Sequence, residues 1–372
     1  MNNHDTRIGA FFESAYRTGG RKSTILTGPG AVSELNRFVE DIAPDRVLFI
    51  ADKQASRFHR PRVEQALSTN PPVEWFELSG GDDAKTLATL DLVLSWLHSR
   101  ATRDSLVVSF GGTAVANVTG LAASLIYRGI RFGHVPTTYL GQADGTIGLK
   151  QSINGTWAKN VIGVFSQPDF TLNDVDFCSS QSEDDLRDGL VETYKAAVAF
   201  EPDLLPFFTA SVRALLPGRD PHLLARLVHE SARIKSARLG SDPHEDRELY
   251  ALEIGHTVAH ALEKATHGAV HHGRAVAIGL LAETHYARRL GLLEDDALIA
   301  DLHTVLVEVL EHPDTLPEGA DVDTLLSHIE LDGHRTKLGP RFVLLQAPGR
   351  TVEPSTYRPN ELRTVLNAMV TR

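Results

Sequence analysis

Apolar and polar positions in the first half of the chain follow two alternating periods. Residues 46–51 (Arg-Val-Leu-Phe-Ile-Ala) form an apolar run that stops at Asp52, and a polar, helix-like segment follows to Leu67. Residues 73–78 (Val-Glu-Trp-Phe-Glu-Leu) alternate as a half-buried strand does and end in Ser79-Gly80-Gly81. Residues 87–97 carry the spacing of an amphipathic helix, and residues 105–110 read as a buried strand stopped by Gly111-Gly112. This strand–helix–strand rhythm predicts a parallel sheet with helices on its faces. Ligands of such sheets bind at the carboxyl ends of the strands, where the glycine-rich turns lie.

From about Asp184 the pattern changes to long helical stretches, at residues 185–200, 222–239, 245–264, 275–290 and 295–310. Strand-like runs are few there, residues 341–345 being the clearest. The expectation is an α/β, Rossmann-like N-terminal domain over residues 1–178 and a mainly helical C-terminal domain over residues 179–372. A length of 372 residues supports two domains, because one core rarely keeps growing to that size. There is no low-complexity linker and no fixed-period repeat.

Composition narrows the function classes. The apolar fraction of 42% and the charged fraction of 23% are those of an ordinary globular protein. No apolar run is long enough to span a bilayer, and the first residues lack the basic-then-apolar layout of a secretion signal. Cys178 is the only cysteine, so no internal disulfide forms, and the cytoplasm is the expected location. A net charge of −11 argues against nucleic-acid binding, which needs a basic stripe, yet leaves room for a phosphorylated small molecule held by a few local cations.

The 17 histidines matter through their placement. In Glu253-Ile-Gly-His256-Thr-Val-Ala-His260, two imidazoles stand four apart on one helical face, with Glu253 three residues before the first. His271-His272-Gly273 opens the next apolar helix, and Glu192-Thr-Tyr-Lys195 sets a carboxylate and an amine three apart upstream. Two imidazoles and a carboxylate with one position left open is the usual layout of a catalytic zinc site. Surface helices often carry single histidines with no chemical role, so the weight rests on the constellation. Gly111-Gly112-Thr113 after a strand can offer backbone N–H groups to a phosphate. Gly81-Asp82-Asp83-Ala84-Lys85 is a second such turn, and Arg128, Lys150 and Lys159 add cations beside turns.

Gly111-Gly112 to Asn117, Tyr127-Arg128-Gly129, Val135-Pro-Thr137-Thr138, Asp144, Lys150, Asn154, Lys159-Asn160, Ile162-Gly163 and Gln167-Pro168 share one ordered pattern. It continues through Glu192-x-x-Lys195, Gly255-His256-Thr257-x-x-His260 and His272-Gly273. It resembles that of the dehydroquinate synthase-like sugar phosphate cyclases, over about residues 25–345. The resemblance implies that Glu192, His256 and His272 bind a divalent metal, Zn2+ or Co2+. It implies that NAD lies near Asp52, Asp82, Lys85, Gly111, Gly112, Thr137, Thr138, Asp144 and Lys159. It places Lys150, Asn160, Lys195 and His260 around the substrate and its phosphate, with Arg128 reaching across a homodimer. Neither nucleic acid nor membrane is an expected partner. The implied reaction oxidises one hydroxyl with NAD, expels phosphate, reduces the ketone again and closes a carbocycle by an aldol step.

Several positions depart from the dehydroquinate synthase pattern. Asn117 stands where an Asp is usual, Glu253 where an Asn is usual, and Leu249 where an Arg is usual. A substrate carboxylate needs donors around it, so an acid and an aliphatic residue there suit a neutral polyol. The pairing of Asn117 with Glu253, and Lys150-Gln151 after Asp144, resembles the family members that act on glucose 6-phosphate. That resemblance implies glucose 6-phosphate as substrate and Asn117, Lys150, Glu253 and His260 as catalytic groups. Arg274 replaces a usual Glu, and His334 lies in a segment that usually supplies a phosphate-binding Lys; both are candidate substrate contacts. The competing readings are a cyclase for another sugar phosphate, a metal-dependent polyol dehydrogenase and a non-catalytic NAD-binding homologue.

Overall fold

A computed structural model describes residues 6–8, 11–67, 71–156, 159–331, 335–337 and 339–370. The chain divides into two compact units, Met1–Ser182 with Arg219–Glu245, and Glu183–Gly218 with Asp246–Arg372.

The first unit is built on strands β1 (Thr6–Ile8), β2 (Phe11–Thr18), β3 (Arg21–Gly28), β4 (Val47–Asp52), β5 (Val73–Leu78), β6 (Leu106–Gly111), β7 (Arg131–Pro136), β8 (Lys150–Ile153), β9 (Ile162–Phe165) and β10 (Phe170–Asp174). Eight of them form one sheet in the order β1-β2-β3-β10-β7-β6-β4-β5, while β8 and β9 make a separate antiparallel pair. From β3 to β5 every neighbouring pair is parallel, and β1 and β2 add an antiparallel edge. Helices α1 (Leu35–Ile42), α2 (Lys53–Ala66), α3 (Leu87–His98) and α4 (Thr113–Leu125) cover it. Strand β4 shows why the sheet needs cover on both sides. Val47, Phe49 and Ala51 join one buried cluster with Phe38 and Val63, while Leu48 and Ile50 join another with Val93 and Val118. A period of two thus sends alternate apolar side chains to opposite faces, and the continuous apolar run is that of a strand buried twice.

The second unit contains α5 (Glu183–Phe200), α6 (Leu205–Gly218), α8 (His256–Ala265), α9 (His272–Arg289), α10 (Asp296–His303), α11 (Val322–Glu330), α12 (Pro359–Ala368) and the hairpin β11 (Leu344–Ala347)–β12 (Arg350–Val352). None of the described helices is long and apolar enough to cross a membrane.

Three features differ from the sequence expectation. Helix α7 (Pro221–Leu239) returns to the first unit instead of joining the helical one, packing on β2 and β3 with Phe12 stacked on His229 at 4.5 Å. Its amphipathic pattern required a buried face without specifying the partner. The stretch at residues 245–264 is not one helix, because Gly255 has φ +80 and interrupts it. Residues 249–253 form a separate tight turn, so Glu253 does not share a helical face with His256. The strand expected at residues 341–345 begins only at Leu344.

Candidate functional site

In the second unit, α5 supplies Glu192, α8 begins with His256 and α9 begins with His272. Their ligand atoms all lie within 4.8 Å of one another. The Nε2 atoms of His256 and His272 stand 3.7 and 3.5 Å from Glu192 Oε1. Close packing brings these helices together. A side chain at Gly273 would meet the backbone oxygen of Asp188 at 2.3 Å, and one at Gly279 would meet that of Gly255 at 2.0 Å. Asp188 precedes Glu192 by one helical turn, so the glycine at 273 lets α9 start directly beside the acid.

The electrostatics are those of a cation site. Glu192 is buried, and neither of its carboxylate oxygens receives a hydrogen bond of ordinary geometry, although Lys195 ion-pairs with it at 2.5 Å. Burial would push its carboxyl up, but Lys195, His256 and His272 together hold it well below the usual range. Burial, then Lys195, pushes His256 down to about 4. His272 is drawn up to about 10, since Glu192 and Glu263 outweigh its burial. Each Nδ1 already faces an acceptor: Ile254 O at 3.2 Å for His256, and Glu263 at 3.5 Å for His272. Both Nε2 atoms are therefore left facing inward. One carboxylate and two imidazoles so arranged fit a divalent cation with a free coordination position.

His260, one turn beyond His256, is half-buried with its ring 5.5 Å from that of His256. Glu253 is close enough to raise the His256 pKa. Lys195 is buried against Glu192, so its charge already has a partner in this unit. Arg274 is exposed; its backbone N–H, not its guanidinium, meets Asp188. His334 lies outside the described residues.

In the first unit, the ends of β4, β5 and β6 converge on Asp52. A Cβ at Gly80 would fall 1.6 Å from Asp52 Oδ2, and one at Gly111 would fall 2.8 Å from Asp52 Cβ, so only glycine leaves this backbone open. Asp52 itself caps α2, accepting from the N–H groups of Gln54 and Ala55. Thr137 N–H donates to Gly111 O at 2.9 Å, Thr138 lines Gly112, and Gly112 starts α4 with no side-chain cap. The uncapped first turn of α4, at the end of a parallel strand, suits a phosphate. Beside β8 and β9, Lys159 pairs with Asp82 at 3.1 Å, and Lys85 hydrogen-bonds Asn160. Asn117 ties α4 to β8, donating to Thr113 O and accepting from Ser152 N–H, so its amide is engaged at both ends. Arg128 is exposed in a loop where Tyr127, Arg128 and Gly129 all have positive φ.

Two residues that sequence reasoning passed over join the expected ones. Lys150 lies 3.1 Å from Glu245, which also faces Lys235 at 3.6 Å, and Lys235 reaches Asp144 at 2.8 Å. This alternating chain of two acids and two amines depends on α7 packing in the first unit. The available signal was a single Lys235 on a buried helical face, and no local motif marked it.

Two family models match adjacent stretches of the chain: 3-dehydroquinate synthase N-terminal over residues 75–188, and 3-dehydroquinate synthase C-terminal over residues 189–335. A 2-deoxy-scyllo-inosose synthase of Streptoalloteichus tenebrarius is 36% identical over 283 residues, covering 76% of this chain and 70% of the relative. A 3-dehydroquinate synthase of Symbiobacterium thermophilum is 33% identical over 359 residues, covering 94% of this chain and 99% of the relative. Among solved structures, a 2-deoxy-scyllo-inosose synthase complexed with carbaglucose-6-phosphate, NAD+ and Co2+ superposes with a TM-score of 0.88 at 23% identity, over 96% of this chain and 100% of that one.

Proposed function

The chain belongs to the 3-dehydroquinate synthase family of sugar phosphate cyclases, and from that membership we propose that it converts glucose 6-phosphate to 2-deoxy-scyllo-inosose. The family's enzymes are carbon–oxygen lyases that release phosphate. The observation that carries the choice of substrate is Glu253 beside His256, with Leu249 buried where the dehydroquinate synthase pattern has a cation. An acid next to an aliphatic residue disfavours a substrate carboxylate and accepts hydrogen bonds from the hydroxyls of a neutral sugar. Relatives named for this product support the same choice.

In this reading Glu192, His256 and His272 hold a divalent cation, Zn2+ or Co2+, and the glycine-lined strand ends beside Asp52, Gly111, Gly112, Thr137 and Thr138 hold NAD. When bound, the cation supplies a Lewis acid for a hydroxyl and NAD supplies a reversible hydride acceptor. The chain's own groups do the rest. Lys150 and Lys235 present ammonium charge to the phosphate and stabilise its departure, while Glu245 and Asp144 hold both amines in place. His260 and Glu253 exchange protons with the sugar. Asn117 holds the β8 backbone, and so Lys150, in register. Asp82, Lys85, Lys159 and Asn160 form a polar rim around the same strand ends.

Arg128, Arg274 and His334 are further substrate contacts in this reading, with Arg128 serving a second copy of the chain in a homodimer. The cytoplasm is the expected setting, and aminocyclitol antibiotic biosynthesis the expected use. A cyclase for another sugar phosphate is the nearest competitor, given the dehydroquinate synthase relative that this chain covers almost entirely.

One incubation separates the readings: purified, metal-loaded protein with NAD and glucose 6-phosphate. Phosphate release with no accumulation of NADH, and a cyclic ketone by mass, is the expected result. Steady NADH production would favour a polyol dehydrogenase. Release only from a seven-carbon ketose phosphate or from a carboxylated sugar phosphate would move the substrate. No release from any of them would favour a non-catalytic homologue.

A further inference from the structure

Two buried glutamates outside the ligand set run in opposite directions between the histidine-bearing helices. Glu263 on α8 places Oε1 3.5 Å from Nδ1 of His272, the first residue of α9. Glu283 on α9 accepts the N–H groups of Gly255 at 2.8 Å and Val258 at 3.0 Å, at the start of α8. Each helix thus lends a carboxylate to the first turn of the other. Neither start has a cap of its own, since Gly255 and His271 make no side-chain cap hydrogen bond. Both acids are nearly inaccessible, at 5% and 2% exposure. Burying a carboxylate is costly, and an apolar side chain would fill the space more cheaply.

The peptide between Ile254 and Gly255 links Glu283 to the site. Its N–H end is held by Glu283, and its C=O end faces Nδ1 of His256 at 3.2 Å. A planar peptide fixed at one end is fixed at the other. Glu283 therefore orients His256 through one peptide unit, while Glu263 orients His272 directly.

We propose that Glu263 and Glu283 are positioning residues that set the orientation and spacing of His256 and His272, so that both Nε2 atoms face Glu192 before a cation arrives. This rests on reading Glu192, His256 and His272 as the metal site. A carboxylate behind a ligating imidazole fixes its ring, and losing such a partner weakens metal affinity by about 10–100-fold.

The test uses the full-length protein and Co2+ alone. Affinity is measured by competition with a chelator, visible absorption is recorded on the Co2+-loaded form, and thermal midpoints are taken without metal. Glu263→Gln keeps an acceptor for Nδ1 and loses the charge; Glu263→Leu loses both; Glu283→Gln turns an amide donor toward a backbone N–H. The expected order of Co2+ affinity is wild type, then Glu263→Gln about 10-fold weaker, then Glu263→Leu about 100-fold weaker, with Glu283→Gln also weakened and altered visible bands in each variant. Wild-type affinity and unchanged bands in all three would overturn the inference, as would lower midpoints with Co2+ binding untouched, which is the mark of a packing role only. His272→Ala is the reference: if it binds Co2+ as tightly as wild type, the metal reading itself fails and this inference falls with it.

Discussion

The ammonium of Lys150 lies 3.1 Å from the buried carboxylate of Glu245, and Lys235 faces the same oxygen at 3.6 Å. The acid thus stands between two cations that would otherwise repel one another. Glu245→Gln should lower kcat/KM by about 10-fold or more and raise KM for the sugar phosphate, since the amines lose their shared anchor. Its cost in stability should be small, about 1 kcal/mol, because Lys150 is partly exposed and solvent screens the pair. Steady-state phosphate release and urea denaturation check both parts.

Glu253 sits in a turn before α8, close enough to act on His256. Glu253→Gln should reduce kcat by about 10²–10⁴-fold while NAD affinity stays near wild type. Equal losses in turnover and in NAD binding, measured by fluorescence titration, would remove its acid–base role.

His272 completes the only three-ligand cluster among the described residues. Replacing it with Ala should bring the metal-to-protein ratio to background and abolish turnover, as should chelation of the wild type followed by rescue with Zn2+ or Co2+. Elemental analysis after gel filtration reads the first part. Activity retained without metal would refute the assignment.

A methyl group at Gly273 has nowhere to go, because the atom it would meet belongs to the α5 backbone. Gly273→Ala should cost about 1–3 kcal/mol of stability and weaken metal binding together, since α9 must step away from Glu192. Paired denaturation and metal titration curves check whether the two losses track one another.

His134 is fully buried between strands, hydrogen-bonded to Ser109 at 2.7 Å, and burial pushes its pKa down to about 3 from an ordinary 6.5. Its folded pKa lies below its unfolded one, so the stability it permits is complete above about pH 6.5. That stability is lost as pH falls toward 3, by up to about 1.4 kcal/mol per pH unit. His134→Gln, which keeps a partner for Ser109, should lose less stability than wild type between about pH 7 and pH 5. Denaturant midpoints at the two pH values decide this; parallel losses would mean that His134 does not contribute.

The sequence made the central sheet legible because each interior strand is an apolar run closed by glycine or Asp, and β4, β5 and β6 appear within a residue or so of expectation. The cluster of Glu192, His256 and His272 was legible through histidine spacing joined to the family pattern. The break at Gly255 was not, because apolar periodicity continues through a tight turn and a single glycine inside a helical pattern is ambiguous. At that break the Gly255 N–H is accepted by Glu283, 28 residues away, a partner that local periodicity does not announce. Lys235 and Glu245 stayed hidden for a similar reason: their meaning depends on α7 docking against β2 and β3, and an amphipathic helix does not encode its partner.

That docking has a consequence for how the protein can be made and cut. The chain crosses between its two units after Ser182, after Gly218 and after Glu245. During synthesis the first unit therefore cannot be finished until the segment ending at Glu245 has left the ribosome, by which time α5 and α6 have already emerged. A fragment ending at residue 182 would expose the sheet face that α7 covers, together with half of the Lys150–Glu245 and Asp144–Lys235 pairs. Expression of either half by itself should yield aggregation-prone material, whereas a permuted chain that keeps residues 219–245 with the sheet should remain soluble.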